Sequence, residues 1–495
     1  MKNRYIKNTI LTFVIANLVF AFGNFTFASN QNDNSSANTL KFASSSVNES
    51  TSTSVLSNYV SSFSNPYSLY TSSDELDLGI NAPSCSLIDV DSGKFLYGKN
   101  IDEKMYPAST TKLMTAIIVL ENCEDLSQKV NVSYYAVHSV PYSYSIANLY
   151  AKEQFSVRDL LETLLVASAN DSAYVLAEFI ANGGNNYSLD AGTDAENAFK
   201  VSIAKFANLM NEKATSLGCT NTNFVNPNGI FNENHYSSAH DLALIGKYAY
   251  NNSTIRSIVT KLSGSLENTD VYTGEKRNYS TTNLLLKKGY SGYYQYANGL
   301  KTGYTDVAQF CIIASAQKDD RNLVAVVLHS ESTRDPATSR ESDCKKLFEY
   351  GFNYFTNTKL ASNNQVMKSI SVINAKSDNK NLDLLCKNDI NVLIKKGEVL
   401  DVTPEVKLSK VLAPISKGEV VGTVVYTVYG EEYSSDLVAS GDIAQANYSF
   451  VIVILVVTCI ILFLIYLVIK SSKPKKKHKH KHKQDSKYIN YLKHY

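Results

Sequence analysis

The sequence predicts an α/β (α+β) domain, an antiparallel sheet flanked by helices, followed by a small all-β domain and a C-terminal transmembrane helix. Three observations carry that expectation. Two hairpin-like strand pairs, near residues 85–97 and 310–328, bracket a stretch whose apolar residues recur at helical spacing. From Gln365 that spacing gives way to short β-branched runs separated by turn residues. An uncharged apolar run then extends from Phe450 to Ile469.

At 495 residues the chain is too long for one ordinary core. Lys2, Arg4 and Lys7 precede an apolar run from Ile10 to Phe22, and Thr26-Phe27-Ala28 offers a cleavage site, so residues 1–28 read as a signal peptide or, alternatively, an uncleaved anchor. Residues 29–75 are rich in Ser, Asn and Thr and read as a disordered spacer. The main domain is expected over 76–358 and a small β-sandwich-like domain over 365–438.

Within the main domain, Cys85–Val90 and Lys94–Tyr97 form a hairpin about Asp91-Ser92-Gly93. Pro107 marks the mouth of a helix starting at or just before Ser109, with Leu113, Ala116, Ile117 and Leu120 on one face. Ser156 and Asp159 resemble a capping box for a second helix running toward Ser168, and Ala173, Leu176, Ala177 and Ile180 mark a third. Residues 183–200 read as a surface insertion, with helical spacing resuming at Phe206, Leu209 and Met210. Phe310–Ala316 and Asn322–Leu328 form a second hairpin about Asp319-Asp320-Arg321, and a helix around Cys344–Tyr354 closes the domain. Ile370–Ile373, Ile390–Ile394 and Val420–Val428 are the strand signals of the β domain.

The run 450–469 is long enough, at about 1.5 Å per residue, to cross a hydrocarbon core. Residues 470–495 carry +9, residues 1–28 carry +3, and the whole chain carries +2, which leaves the body at −10. The lysines after the span place the tail in the cytoplasm and the body outside a cell membrane, crossed once. An acidic body excludes nucleic acid as its partner and leaves the lipid bilayer as the partner of the span. The tail alternates Lys and His from Lys477 to Lys483, which reads as a solvated cluster against anionic lipid, with metal binding as the alternative. Seven cysteines are scattered without a C-x-x-C pair, so no disulfide framework is expected.

Three motifs follow one another in order: Ser109-Thr110-Thr111-Lys112, Ser168-Ala169-Asn170 and Lys301-Thr302-Gly303. Ser-x-x-Lys at a helix start sets a hydroxyl nucleophile and an amine base one turn apart on one face. Lys112 serves as base only when neutral, and both burial and a nearby Lys301 would lower its pKa. Ser168 can relay a proton, and Asn170 can hold Lys112 and a substrate amide. Lys301 gives a positive field for a substrate carboxylate, Thr302 a hydroxyl to bind it, and Gly303 a bare backbone where strand and substrate meet. Each motif alone is also an ordinary cap or turn. No metal or other cofactor is required.

Together these residues resemble the low-molecular-mass penicillin-binding proteins that act as D-alanyl-D-alanine carboxypeptidases. The resemblance extends over Pro107–Ala116, Ala167–Ala173, Phe224–Asp241, Thr282–Leu285 and Gly299–Thr305, with a weaker match at Ala413–Gly418. It implies a penicillin-binding-protein/β-lactamase-like transpeptidase fold. It also implies a peptidoglycan stem peptide ending in D-Ala-D-Ala as substrate, and β-lactams as acylating inhibitors. By position, Ser109 is acylated, Lys112 is the base, Ser168 and Asn170 complete the proton path, and Lys301 and Thr302 hold the terminal carboxylate. The N–H groups of Ser109 and Tyr304 form the oxyanion hole, and Arg340 assists with the carboxylate. The chain departs from the family at Gln309, where glycine is usual, at insertions 183–200 and 287–296 around the expected site, and in its full membrane span. The alternatives are a β-lactamase-like hydrolase, for which Glu178 and Asn182 form a Glu-x-x-x-Asn, and a catalytically weak penicillin- or wall-binding protein.

Overall fold

The computed structural model describes residues 69–185, 190–331, 339–376, 378 and 380–472. The expected signal peptide, most of the spacer and the tail beyond Ser472 lie outside the described residues.

The main domain is built on a six-stranded sheet in the order Thr71–Ser72, Phe95–Lys99, Ser84–Asp89, Arg321–Ser330, Gln309–Lys318, Ala297–Thr305. The expected hairpins form its centre, with Leu87 opposite Tyr97 and Leu323 opposite Ala316. Period-2 alternation decides which face each residue serves. Leu323, Ala325 and Val327 pack with Leu347, Phe348 and Phe352 on one face. Val324, Val326 and Leu328 pack on the other with Leu113, Leu160, Val175 and Leu242. The central strands are therefore apolar throughout, because helices cover both faces.

The sheet begins earlier than the sequence pattern suggests, inside the stretch read as spacer. Thr71–Ser72 pairs parallel to Tyr97 and Gly98, Leu69 is buried, and the Tyr350 hydroxyl donates to Thr71 Oγ1 at 2.9 Å. All other neighbours in the sheet are antiparallel.

Helices Lys112–Asn122, Val157–Val166, Asn170–Ala181 and Ala239–Asn251 pack against the sheet and one another. Val157–Val166 carries the capping box: Ser156 Oγ accepts from Asp159 N, and the Asp159 carboxylate accepts from Ser156 N. One expectation fails. The helix expected to resume at Phe206 spans Thr193–Ser216, so the insertion is partly helical. Asp194 and Glu196 suit the positive end of that helix, and Phe199 extends the buried stripe of Phe206, Met210 and Ala214. So few apolar residues per turn look like loop in sequence.

Helix Arg340–Tyr354 runs directly into strand Phe355–Ala361, which pairs with Ile390–Lys395. A five-stranded sheet follows, ordered Val366–Ser371, Asn381–Cys386, Glu431–Ala439, Val420–Val428, Glu405–Leu408. Leu382, Leu384, Val424, Tyr426 and Leu437 fill its core, and the Tyr426 hydroxyl donates to Leu360 O at 3.2 Å. Ser449–Ser471 forms a 23-residue helix with no buried residue, and its most apolar 18-residue stretch has a mean hydropathy of 3.5. Among the described residues it is the one helix long and apolar enough to cross a membrane. All seven cysteines are unpaired, and five are buried.

Candidate active site

The edge strand Ala297–Thr305 closes against the turn that leads into helix Lys112–Asn122. That turn, Ala108–Thr111, is a 3₁₀ segment rather than α-helix, and Ala108 stands at φ +47. It presents Ser109 at the mouth of a cleft of about 250 Å³. Ser168, Asn170, Thr302, Gly303, Tyr304 and Arg340 line the same cleft, with the segment Ser143–Ser145 opposite the strand. Lys112 and Lys301 lie fully buried beneath its floor.

Lys112 Nζ stands 2.7 Å from Ser109 Oγ, 2.9 Å from Asn170 Oδ1 and 2.6 Å from the carbonyl of Asn228. Two of these three neighbours are acceptors only. The Asn170 amide is oriented by its Nδ2, which donates to Ser145 O at 2.8 Å and so turns Oδ1 toward the lysine. A neutral amine has two N–H groups and one lone pair. The two acceptors take the N–H groups, and the lone pair is left facing the Ser109 hydroxyl. Burial, and then the positive Lys301, push the Lys112 pKa well below the usual lysine value; Asp171 works in the opposite sense. The site thus favours the protonation state in which Lys112 accepts a proton.

Ser168 lies between two helices, where Val157–Val166 ends and Asn170–Ala181 begins. Its φ of +64 is the left-handed geometry of a helix C-terminus. Lys301 Nζ donates to Ser168 Oγ at 2.9 Å and to Thr302 O at 2.8 Å. Ser168 thereby joins the second lysine to the cleft. Burial and the Arg340 guanidinium lower the Lys301 pKa to about 7. The Thr302 hydroxyl bonds that of Thr282. Arg340, also buried, donates through Nη1 to Gly303 O at 3.0 Å and Cys311 O at 3.1 Å, bracing the strand pair. Tyr304 points outward, its hydroxyl on Asp306 at 2.9 Å, so its backbone rather than its ring faces the site's chemistry.

Gly303 has a steric reason to be glycine. A Cβ there would stand 2.9 Å from the Ser109 amide nitrogen and 3.0 Å from both Ala108 Cβ and Pro107 O. Gly303→Ala should push the strand off that amide and lower the acylation rate by about tenfold, because small misplacements of reacting groups are costly. The rate of covalent labelling by a fluorescent penicillin measures this, and an unchanged rate would remove the close approach from the mechanism.

Gln309 opens strand Gln309–Lys318 at φ +53 and does not line the cleft. Its backbone conformation suits glycine, so Gln309→Gly is expected to stabilise the fold by about 0.5–1 kcal/mol and leave turnover unchanged. Urea unfolding reads the first effect and a steady-state assay the second.

The sequence reading missed several contributors. The carbonyls of Asn228 and Ser145 orient Lys112 and Asn170, and a backbone group leaves no side-chain signature. Asn228 lies in the stretch Phe224–Asp241, which resembles the family but whose residue types assign it no role. From the same stretch, Gly229 closes on the nucleophile turn, where a Cβ would overlap Ala108 O. His235 bonds Thr111 Oγ1 at 2.9 Å. Its Nδ1 accepts from Val225 N, and burial lowers its pKa to about 3, so it is a neutral buttress.

Two expectations about the surroundings change. No described residue of 183–200 or 287–296 lines the cleft. The second insertion packs instead on helix Arg340–Tyr354, with Tyr294 stacked on Phe348. Glu178, the acid of the Glu-x-x-x-Asn, is buried and accepts from Ser133 Oγ at 2.6 Å, away from the cleft.

Comparison with known proteins agrees with this geometry. Residues 71–191 and 195–332, more than half the chain, match the Peptidase S11 family, described as D-alanyl-D-alanine carboxypeptidase. Residues 355–445 match the C-terminal domain of penicillin-binding protein 5. D-alanyl-D-alanine carboxypeptidase DacF of Bacillus subtilis is 33% identical over 384 residues, covering 75% of this chain and 88% of the relative. DacA of Escherichia coli is 28% identical over 379 residues, covering 74% and 85%. The crystal structure of penicillin-binding protein 5 from Haemophilus influenzae superposes with a TM-score of 0.55 at 27% identity, covering 74% of this chain and 98% of that one. With a lysine-facing serine in the cleft and both domains matched, the chain belongs to the D-alanyl-D-alanine carboxypeptidase family of serine peptidases, the low-molecular-mass penicillin-binding proteins.

Proposed function

We propose that the cleft removes the terminal D-alanine from peptidoglycan stem pentapeptides through an acyl-enzyme on Ser109. The observation that carries this reading is the buried Lys112 amine, 2.7 Å from Ser109 Oγ and held in place by the Asn170 and Asn228 oxygens. The substrate's terminal carboxylate sits against Lys301, Thr302 and Arg340. Ser109 Oγ attacks the carbonyl carbon of the penultimate D-alanine as its proton passes to Lys112 Nζ. The oxyanion is held by the N–H groups of Ser109 and Tyr304. Ser168 relays that proton from Lys112 to the leaving nitrogen, so that free D-alanine departs and Lys112 is neutral again. Water then attacks the ester as Lys112 takes its proton, and Lys112 returns that proton to Ser109 Oγ as the ester bond breaks. β-Lactams enter the same first step and stay bound as esters.

The topology proposed is that of an exported protein: signal peptide 1–28, spacer, catalytic domain and β domain outside the membrane, a single span at 450–469 and a cytoplasmic tail at 470–495. The apolar helix and the lysines that follow it support this orientation.

The test is to incubate the full chain in detergent with a peptide ending in D-Ala-D-Ala and assay free D-alanine, with and without prior penicillin. Release that penicillin abolishes is expected. Rapid turnover of the penicillin instead would favour the β-lactamase-like alternative, and binding of wall material without release would favour the non-catalytic one.

A further inference from the structure

The wall of the cleft opposite the edge strand carries a feature the mechanism does not use. Ser143, Tyr144 and Ser145 line the cleft, and the chain just before them makes a turn in which Tyr144 N donates to Pro141 O at 3.3 Å. Ser143, third residue of that turn, stands at φ +76, where glycine or asparagine is usual. A serine in this conformation stores strain, and such outliers gather at functional sites. Tyr142, the second residue, is 99% exposed. A tyrosine gains nothing for the fold by standing fully in water.

The turn is held firmly from below. Ser145 O accepts from both the backbone N–H and the Nδ2 of Asn170, at 2.9 and 2.8 Å. The Asp171 carboxylate accepts from Ala147 N at 2.9 Å and Leu149 N at 3.1 Å. Farther on, Tyr150 stacks on Tyr272 with ring centres 5.0 Å apart. The residues that orient Lys112 thus also set the height of the turn. An exposed aromatic ring on a backbone anchored this close offers a large contact area at low conformational cost.

We infer that Tyr142, on the turn Pro141–Tyr144, is a subsite for a pyranose ring of the glycan strand to which the stem peptide is attached. The inference rests on the carboxypeptidase reading of the cleft. With the scissile carbonyl at Ser109, four stem residues lead away before the sugar, a reach of roughly 13–14 Å when extended. Tyr142 stands three residues from the pinned Ser145, on a turn that holds it in solvent at the border of the cleft. The segment Pro141–Ser145 contains no charge. Aromatic faces flanked by hydroxyls suit the C–H face and hydroxyls of a neutral sugar, whereas the carboxylates of a stem peptide call for cations.

The experiment compares two substrates, a pentapeptide ending in D-Ala-D-Ala and the same peptide carried on its disaccharide. Tyr142→Ala should lower kcat/KM about tenfold on the disaccharide-linked substrate, a loss equivalent to ~1.4 kcal/mol, and leave the bare peptide unchanged. Tyr142→Phe, which keeps the ring face, should behave as wild type on both. Equal losses on the two substrates, or no loss on either, would overturn the subsite. Calorimetric binding of both ligands to Ser109→Ala, with and without Tyr142→Ala, gives the same comparison without turnover. Absence of D-alanine release by the wild-type chain would sink the carboxypeptidase reading, while the sugar-dependent difference in binding would still decide the subsite.

Discussion

Lys112→Met is expected to abolish acylation of Ser109 as completely as Ser109→Ala, and the double variant to lose no more than either alone. In the proposed mechanism the two groups act as a unit: one supplies the oxygen and the other the place for its proton, so their losses do not add. We expect each single variant to fall by about a thousandfold or more in D-alanine release, as loss of a nucleophile or its base does in other serine enzymes. Lys112→Arg is the discriminating control. Arginine keeps donors for Asn170 Oδ1 and the Asn228 carbonyl, but it is always charged and its pKa is too high for it to free a site for the proton. It should therefore be as inactive as methionine, although thermal melting should show a folded protein. Appreciable activity in Lys112→Arg would mean that the lysine contributes field rather than basicity, and the proton would need another acceptor.

How far this could be seen in the sequence depends on where each interaction stores its information. The hairpins about Asp91-Ser92-Gly93 and Asp319-Asp320-Arg321 are legible because turn chemistry and alternation coincide there. The helix start at Ser156 is legible because its capping box consists of side chains. Ser109, Lys112, Ser168, Asn170 and Lys301 are side chains that their residue types single out in sequence, and the cleft draws them together. The carbonyls of Asn228 and Ser145 carry no such mark, since any residue can offer one. The two-residue strand Thr71–Ser72 is too short to show a period. Helix Thr193–Ser216 is masked by its polar outer face. Arg340 is an intermediate case: only the resemblance marks it in sequence, and its bonds to Gly303 O and Cys311 O give it a bracing role in the strand pair.

That bracing arginine also shapes the expected pH dependence. In the free enzyme kcat/KM should rise as Lys112 loses its proton, then fall above about pH 7 as Lys301 loses the charge that attracts the substrate carboxylate. Beyond that point the decline should approach tenfold per pH unit. A bound carboxylate favours protonated Lys301, so the alkaline limb of kcat should lie at higher pH than that of kcat/KM. Arg340 is the cation that lowers the Lys301 pKa after burial has done so, and Arg340→Gln should move the alkaline limb of kcat/KM upward even as it weakens binding overall. A limb that stays in place or moves down would detach that limb from Lys301. Stability must follow the same proton. Between pH 7 and the ordinary lysine value of about 10.4 the unfolded chain binds a proton at Lys301 that the folded chain does not, so stability rises with pH across that window. Lys301→Met removes that contribution, and urea unfolding of the two proteins at pH 7 and pH 9 should show a steeper pH dependence for wild type.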